Sequence, residues 1–581
     1  MKTLFSFFPR FLRYNRTLWF GFLCIPLAQG ADVALTVIIG NAITRLKTAS
    51  DTRFLAGVLG LFTLFAIAHA VFRFLQRWLL VVVSRRVEVG LKQDLFDKLS
   101  SLPFSFHNES RSGDVVSRLT SDVENIRMFL GPGLMYTTGA LVVVPITIVL
   151  LFGLNGPLAL TMILPMLLMG LAMKRFSPRL HKHSLAVQES LADISHRAQE
   201  NFAGIRVVKG YAREDQQAAL FKRTSEENML NQVELGRARG LTNASVHAAN
   251  DLTFVSILIL GGLALVDRRL ADGDLFKFID LTFKVFWPLI ALGWIAGMYP
   301  RAVASAQRVT ELLARQSDIQ DPEEPRKIDE IRGDVKLEGV HFTYPGADRP
   351  ALDGIDVHVP AGTALGIVGP TGSGKSTLLN LLGRLYEADG EISLDDVPIR
   401  ELALETLRGA FGYVPQDSFL FSEAYKDNIR FGADAPLSED QVRELIDRAR
   451  MTEEVAEFPD GIDQLIGERG VSLSGGQRQR TCIARALAKN PKVLIFDDCL
   501  SAVDTETEKE LIANLGEAGS GRTVVFAAHR LSTVAQAEKI LVLSANGTVA
   551  DLGTHEELIG RDGWYRQTWR QQQRLEELSS L

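Results

Sequence analysis

Gly369-Pro370-Thr371-Gly372-Ser373-Gly374-Lys375-Ser376-Thr377 fits the pattern G-x-x-x-x-G-K-[ST] of a phosphate-binding P-loop. A triphosphate tail carries several negative charges and needs many donors close by. Gly372 and Gly374 let the backbone fold into a nest whose N–H groups point inward. Lys375 puts a point charge on the outer phosphates, and Ser376 offers a hydroxyl to Mg²⁺. The run Ser376 to Leu382 then opens a helix whose positive end faces the phosphates. Just upstream, Ala364 to Val368 reads as a short buried strand. Strand, loop and helix in that order make a chance glycine-rich turn a poor explanation. The loop is therefore expected to bind ATP through Gly369, Thr371, Gly372, Ser373, Gly374, Lys375, Ser376 and Thr377.

The remainder of the chain is of two kinds. It has 581 residues, 46% of them hydrophobic, which exceeds what an ordinary soluble ATPase needs and suggests an average over unlike halves. The net charge of −6 leaves no basic footprint for nucleic acid. Cys24, Cys482 and Cys499 show neither a disulfide framework nor metal-ligand spacing. The N-terminus mixes Leu4, Phe5, Phe7, Phe8 and Phe11 with Arg10, Arg13 and Arg16. With no small-residue cleavage site, it reads as an interfacial amphipathic helix that stays on the protein.

Six apolar runs follow, each near the roughly 20 helical residues that cross a bilayer core. They lie at 18–43, 54–83, 129–153, 157–175, 247–266 and 275–300. The stretches 84–128 and 176–246 are long and carry most of the lysine and arginine, so they are expected on the cytoplasmic side. Six spans then put both the N-terminus and the C-terminal half in the cytoplasm, where ATP is. Each long stretch reads as a helical extension with a short helix at its tip.

Polar residues within the spans need a reason, because charge at membrane depth is costly. His69, Arg73, Gln76 and Arg77 share one helical face. So do Asn243, His247, Asn250, Asp251 and Phe254. Asp280, Lys284, Trp287 and Trp294 form a stripe, with Asp280 and Lys284 placed to pair at i, i+4. Asp32 sits alone in the first span. Taken singly, such residues are more often interhelical pairs or snorkelling heads. As a set, Arg73, Asp251, Asp280, Lys284 and Trp287 are candidates to line a cavity for a transported molecule. Pro288 could bend the last helix.

A polar, proline-containing linker at 319–333 separates a membrane domain, 1–318, from a second domain, 334–581. The second reads as an α/β ATPase. Tyr344 precedes the P-loop and could stack on adenine. Gln416 follows the strand Phe411 to Val414 and could reach Mg²⁺ or its water. Leu473-Ser474-Gly475-Gly476-Gln477 opens a helix, with Ser474 as N-cap and the glycines exposing N–H groups to a second anion. Since one phosphate cradle is already present, this second one is best explained as serving ATP held by another copy of the domain. Val493 to Asp497 is a buried strand ending in a carboxylate that can hold Mg²⁺ through water. Asp498 follows it, and Ser501-Ala502-Val503-Asp504 forms the next turn. Thr523 to Ala528 is another buried strand, with His529 at its end. Ile540 to Val549 reads as a hairpin through Asn546-Gly547.

This order of motifs resembles the nucleotide-binding domain of ATP-binding cassette transporters. The six spans and the two cytoplasmic tips, around 105–120 and 200–215, resemble the exporter branch, in which the tips are coupling helices. Trp287-Pro288 to Gly293-Trp294 is similar to bacterial multidrug-type half-exporters. The implied fold is an α-helical six-span transmembrane domain followed by an α/β P-loop ATPase domain. The implied function is ATP-driven export of amphipathic drugs or lipids across the cell membrane by alternating access. The chain carries no internal repeat, so it is read as a half-transporter that dimerises.

The resemblance also implies site roles. Gln416, Asp498 and His529 would act in hydrolysis, with His529 on the γ-phosphate. Ser376, Gln416 and Asp497 would hold Mg²⁺. Tyr344, Ser474, Gly475, Gly476, Gln477 and Asp504 would contact nucleotide. One position departs from the family pattern. After the Walker B aspartate, an active cassette has a Glu that orients the attacking water, and here Asp498 stands there. Its carboxylate should fall about 1 Å short, a misplacement that can cost on the order of 10²-fold in rate. That substitution resembles the degenerate-site half of a heterodimeric exporter, whose partner is a different chain supplying the catalytic Glu. A slow homodimeric lipid flippase or peptide exporter, or a gated channel-type cassette protein, remains the alternative. Six spans exclude a soluble cassette ATPase.

Overall fold

The computed structural model describes residues 2–46, 52–161, 163–467, 470, 473–499, 511 and 521–579. The chain divides into two units. One comprises Met1–Lys98 with Gly113–Ala314, the other Leu99–Ser112 with Arg315–Leu581.

The described residues of the first unit form helices and the short turns between them. Among the described residues, five helices are long and apolar enough to cross a membrane: Asn15–Leu46, Thr52–Ser101, Ser112–Leu154, Glu214–Val266 and Asp272–Ala314. The remaining expected span, 157–175, falls partly outside the described residues, between the helices Gly156–Thr161 and Ile163–Ala203. Several helices run well past the hydrocarbon. The 50 residues of Thr52–Ser101 extend about 75 Å at 1.5 Å each, against a bilayer core of about 30 Å. Asp272–Ala314 continues unbroken through Pro288 and Pro300.

Sequence explains where the apolar part of each helix stops. Past the second span, Glu88 takes ion pairs from Arg85 and Lys92 at 2.8 Å, and from Arg127 at 3.3 Å. Asp122 is buried and accepts from Ser305 and Arg308, each at 2.8 Å. At membrane depth, Val33, Val143, Leu151, Ile257, Phe278 and Leu281 form an apolar cluster. The amphipathic start makes two short helices, Lys2–Phe5 and Phe8–Leu12. Leu4, Phe7 and Phe11 are buried within the unit, and Arg10 pairs with Asp94.

The second unit is built on two sheets. Strands β1 (Val335–Phe342), β2 (Leu352–Val359), β4 (Asp389–Leu394) and β5 (Val397–Pro398) form an antiparallel sheet in the order β2-β1-β4-β5. The larger sheet holds β3 (Ala364–Val368), β6 (Phe411–Val414), β7 (Val493–Asp497), β8 (Thr523–Ala527), β9 (Lys539–Leu543) and β10 (Val549–Gly553). Its order is β10-β9-β3-β8-β7-β6, parallel except for the edge strand β10. Apolar runs such as Val493 to Phe496 are buried on both faces, as parallel strands must be. The expected hairpin is present. β9 and β10 pair antiparallel around Gly547, whose φ is +76°.

The short helix Phe104–Glu109 belongs to this second unit. Phe104 packs edge-on against Tyr386 at 5.8 Å, and Asn108 donates to the Tyr386 hydroxyl at 2.9 Å. The Arg315 guanidinium lies 4.8 Å from the Phe106 ring centroid. The other expected tip helix is present as Ile205–Gly210, with no buried residue.

Candidate nucleotide site and membrane cavity

Four neighbouring parallel strands, β3, β8, β7 and β6, bring the ATPase motifs to one edge of the sheet. In such sheets ligands bind beyond the carboxyl ends of the strands. The P-loop follows β3, His529 follows β8, Asp497 ends β7, and Gln416 lies two residues past β6. Residues far apart in sequence thus meet because their strands are adjacent and parallel.

Within the P-loop, Gly369, Gly372 and Gly374 all have positive φ, at +154°, +83° and +92°. A Cβ on Gly374 would lie 2.5 Å from the Ala351 carbonyl oxygen, and one on Gly369 would meet Ser373 Oγ at 2.8 Å. The loop is a cradle that side chains would fill. Gly374 caps the helix Lys375–Leu382, which buries Leu378, Leu379, Leu381 and Leu382 and so holds its positive end at the loop. Lys375 Nζ donates to the carbonyls of Gly369 and Pro370 at 2.9 and 3.0 Å. Burial pushes the Lys375 ammonium below its ordinary pKa, opposed by Asp498 and Asp497. Ser373 Oγ is buried without a partner. An orphaned hydroxyl and a buried ammonium beside a glycine-lined loop fit a phosphate chain.

Ser376 Oγ donates to Asp497 Oδ1 across 2.8 Å. This joins the start of the helix to the end of β7 and puts a hydroxyl and a carboxylate side by side, a donor set suited to Mg²⁺. Burial raises the Asp497 pKa, and Asp498 adds to the rise, while Ser376, Lys375 and His529 oppose it. Two adjacent carboxylates in a half-buried site thus favour a cation beside them. Asp498 sits in the left-handed region at φ +45°, with its N–H donating to the Ala527 carbonyl. His529 Nε2 is 4.0 Å from Asp498 Oδ2.

Tyr344 shares a 2.9 Å hydrogen bond with Thr377 Oγ1. Its ring is set edge-on to Phe342 and Tyr386, at 4.8 and 5.4 Å. Ser474 and Gln477 form a reciprocal capping box at the start of the helix Gly475–Ala488, with Gly475 and Gly476 as its first two residues. Gln416 is exposed. Ser501 to Asp504 lie outside the described residues.

The first unit contains a cavity of about 280 Å³, lined by residues of four helices. Asp32, His69, Arg73, Gln76, Lys284 and Trp287 are among them, with Tyr136. Of the five candidates, Arg73, Lys284 and Trp287 line this cavity, and Asp280 and Asp251 do not. Asp280 accepts from Thr36 and lies 3.6 Å from Lys284, as i, i+4 spacing requires. Lys284 is closer still to Asp32, at 2.7 Å. Asp32 therefore is not solitary. Its partner comes from another helix, which no pattern within the first span could reveal. Asp251 is exposed on the helix Glu214–Val266, on the side away from buried Ala249 and Thr253. Gln29 and Tyr136 also went unrecognised, because single polar or aromatic residues in an apolar run carry no spacing signal.

Fold and site define an ATP-hydrolysing transporter whose membrane helices and ATPase share one chain. Residues 18–289 match the ABC transporter transmembrane region, and residues 352–501 match the ABC transporter family. The chain is 34% identical over 514 residues to the multidrug resistance-like ATP-binding protein MdlA of Escherichia coli, covering 88% of this chain and 86% of MdlA. It is 32% identical to an ATP-dependent lipid A-core flippase of Methylococcus capsulatus, covering 96% and 94%. A bacterial Atm1-family ABC exporter solved with ATP bound superimposes with a TM-score of 0.79 at 28% identity, covering 97% and 98%. The chain belongs to the ATP-binding cassette exporters. It is a multi-pass protein of the cell membrane with its ATPase domain in the cytoplasm.

Proposed function

We propose that this chain is one half of a heterodimeric exporter that moves amphipathic small molecules across the cell membrane by alternating access. The observation that carries the heterodimer is Asp498, one methylene shorter than the Glu of an active cassette. Relatives named for multidrug resistance and for lipid A-core flipping support a drug-like or lipid-like cargo.

In this reading the P-loop N–H groups and Lys375 hold the β- and γ-phosphates of ATP. Ser376, Asp497 and Gln416 hold Mg²⁺. Bound there, Mg²⁺ neutralises charge that develops on the phosphates. Tyr344 faces the adenine. His529 reaches the γ-phosphate, and Asp498 orients water poorly, so this site holds ATP longer than it cleaves it. Ser474 to Gln477, with Asp504, close over ATP on the partner, and the partner's signature helix closes over Gly369 to Thr377. The Phe104–Glu109 and Ile205–Gly210 helices transmit that closure to the membrane helices.

The test is to purify the chain with and without the product of its neighbouring gene. The complex should hydrolyse ATP and drive dye into inside-out vesicles, with Lys375→Ala reducing uptake. Asp498→Glu should raise hydrolysis within the complex. A lone chain that forms a stable dimer with full ATPase activity would make this a homodimeric exporter. Ion current without uphill uptake would make it a channel.

A further inference from the structure

We propose that the membrane cavity binds the oxyanion headgroup of an amphipath, phosphate or carboxylate, between Arg73 and Arg77. This rests on the exporter reading and narrows its cargo to anions.

The inference follows from how charge is shared. Both aspartates near the cavity, Asp32 and Asp280, are engaged with one cation, Lys284. His69 donates from Nδ1 to the Ala28 carbonyl at 3.0 Å. Arg73 Nη1 lies 3.4 Å from His69 Nε2. An imidazole carries no negative charge, so His69 supplies no counter-charge to Arg73. Among the described residues, neither Arg73 nor Arg77 has a carboxylate partner. Two guanidiniums one helical turn apart repel each other, and at membrane depth an uncompensated cation is costly. An oxyanion between them removes both costs, and guanidinium forks match phosphate and carboxylate geometry.

The rest of the cavity suits the remainder of such a molecule. Gln76 and Tyr136 share the lining with the arginines, and Trp287, Pro288 and Met135 give it apolar surface. Gln76 Oε1 is buried without a partner, so the lining retains polar capacity that its own residues do not use. At about 280 Å³ the space is headgroup-sized, just below the roughly 300–1,000 Å³ of drug-sized pockets. The apolar tail of the ligand then lies outside it, along the helices.

The test is equilibrium binding of radiolabelled dodecyl phosphate to the full-length transporter in phosphatidylcholine nanodiscs, which requires neither hydrolysis nor transport. Unlabelled dodecyl phosphate should compete, and dodecyltrimethylammonium should not. Arg73→Gln with Arg77→Gln should weaken binding about tenfold or more, and Arg73→Lys with Arg77→Lys, which keeps the charge and loses the fork, should weaken it less than the glutamine pair. Asp32→Asn, which removes one negative charge from the lining and the nearer of the two carboxylates on Lys284, should tighten binding severalfold, a gain that damage to the fold does not produce. Repeating the assay with phosphatidic acid in the nanodisc distinguishes sources. Competition assigns the headgroup to a leaflet lipid, and its lack assigns it to a soluble amphipath. Either supports an anion site. Equal competition by dodecyltrimethylammonium, a glutamine double variant that binds like the wild type, or weaker binding by Asp32→Asn overturns the proposal. Any of these leaves the heterodimer reading untouched, since that rests on the Asp498→Glu and partner experiments.

Discussion

The side-chain amide of Gln572 donates to the backbone carbonyl of His529 across 2.9 Å. Its oxygen accepts from the N–H of Leu531 at 2.8 Å. One amide on the C-terminal helix Trp564–Ser579 therefore holds the backbone on both sides of Arg530, directly after His529 at the phosphate edge.

Gln572 is a positioning residue, and its removal should act through His529. Each lost hydrogen bond is worth about 1 kcal/mol, or about fivefold in rate if expressed in the transition state. Gln572→Ala should lower the slow ATP hydrolysis at this chain's own site, read in a complex whose partner has lost its catalytic Glu, about fivefold or more, with KM for ATP within about twofold. Gln572→Glu keeps the acceptor for Leu531 and should retain more activity than Ala. A fall in thermal stability with kcat unchanged would show that the amide only anchors the helix.

The same helix carries a pH dependence. His555 Nδ1 lies 2.7 Å from the Tyr565 hydroxyl, and its ring packs edge-on to Trp569 at 4.4 Å. Burial lowers its pKa from the ordinary 6.5, opposed by Glu556. Below 6.5 the unfolded chain takes up a proton that the folded chain resists, so stability should fall as pH drops towards the depressed folded value. Above 6.5 this group adds no pH dependence. Thermal unfolding of the full chain between neutral and mildly acid pH should show this slope, and His555→Gln should flatten it.

Two P-loop glycines should differ in their tolerance. Gly372 and Gly374 both have positive φ, but a Cβ on Gly372 meets open space, whereas one on Gly374 strikes Ala351 and Leu352. Strain at such positions costs on the order of 1–3 kcal/mol. Gly374→Ala bears that strain plus the collision. Titration with a fluorescent ATP analogue should therefore show a loss of about tenfold or more for Gly374→Ala, and less for Gly372→Ala.

The Asp122–Arg308 pair should respond asymmetrically. Asp122 is 2% exposed and Arg308 45%. Arg308→Ala leaves a buried carboxylate without its charge partner, a change that costs about 3–5 kcal/mol in buried pairs. Asp122→Ala leaves a guanidinium that water can reach. Thermal melts of the detergent-solubilised chain should show the larger loss for Arg308→Ala.

The elements legible in the sequence were those with a local signal. The strand and the helix flanking the P-loop, the Ser474 cap, the Asn546-Gly547 hairpin and the span of the long helices are set by short-range sterics and by apolar runs. Site residues were legible where a motif fixes backbone shape, as at Gly369 to Lys375. The cavity was legible only in part. Helical spacing placed Lys284 beside Asp280, and could not say that Asp32 comes closer or that Asp251 lies elsewhere.

By itself, then, the sequence determined that this is a membrane protein with a phosphate-binding ATPase, because apolar length and glycine placement act through neighbouring residues. Only the tertiary structure decided which charges are neutralised, which hydroxyl meets Asp497 and which amide holds His529. Ion pairs and hydrogen bonds of that kind join separate strands and helices, and their partners are chosen by packing in three dimensions, which residue spacing along the chain does not encode.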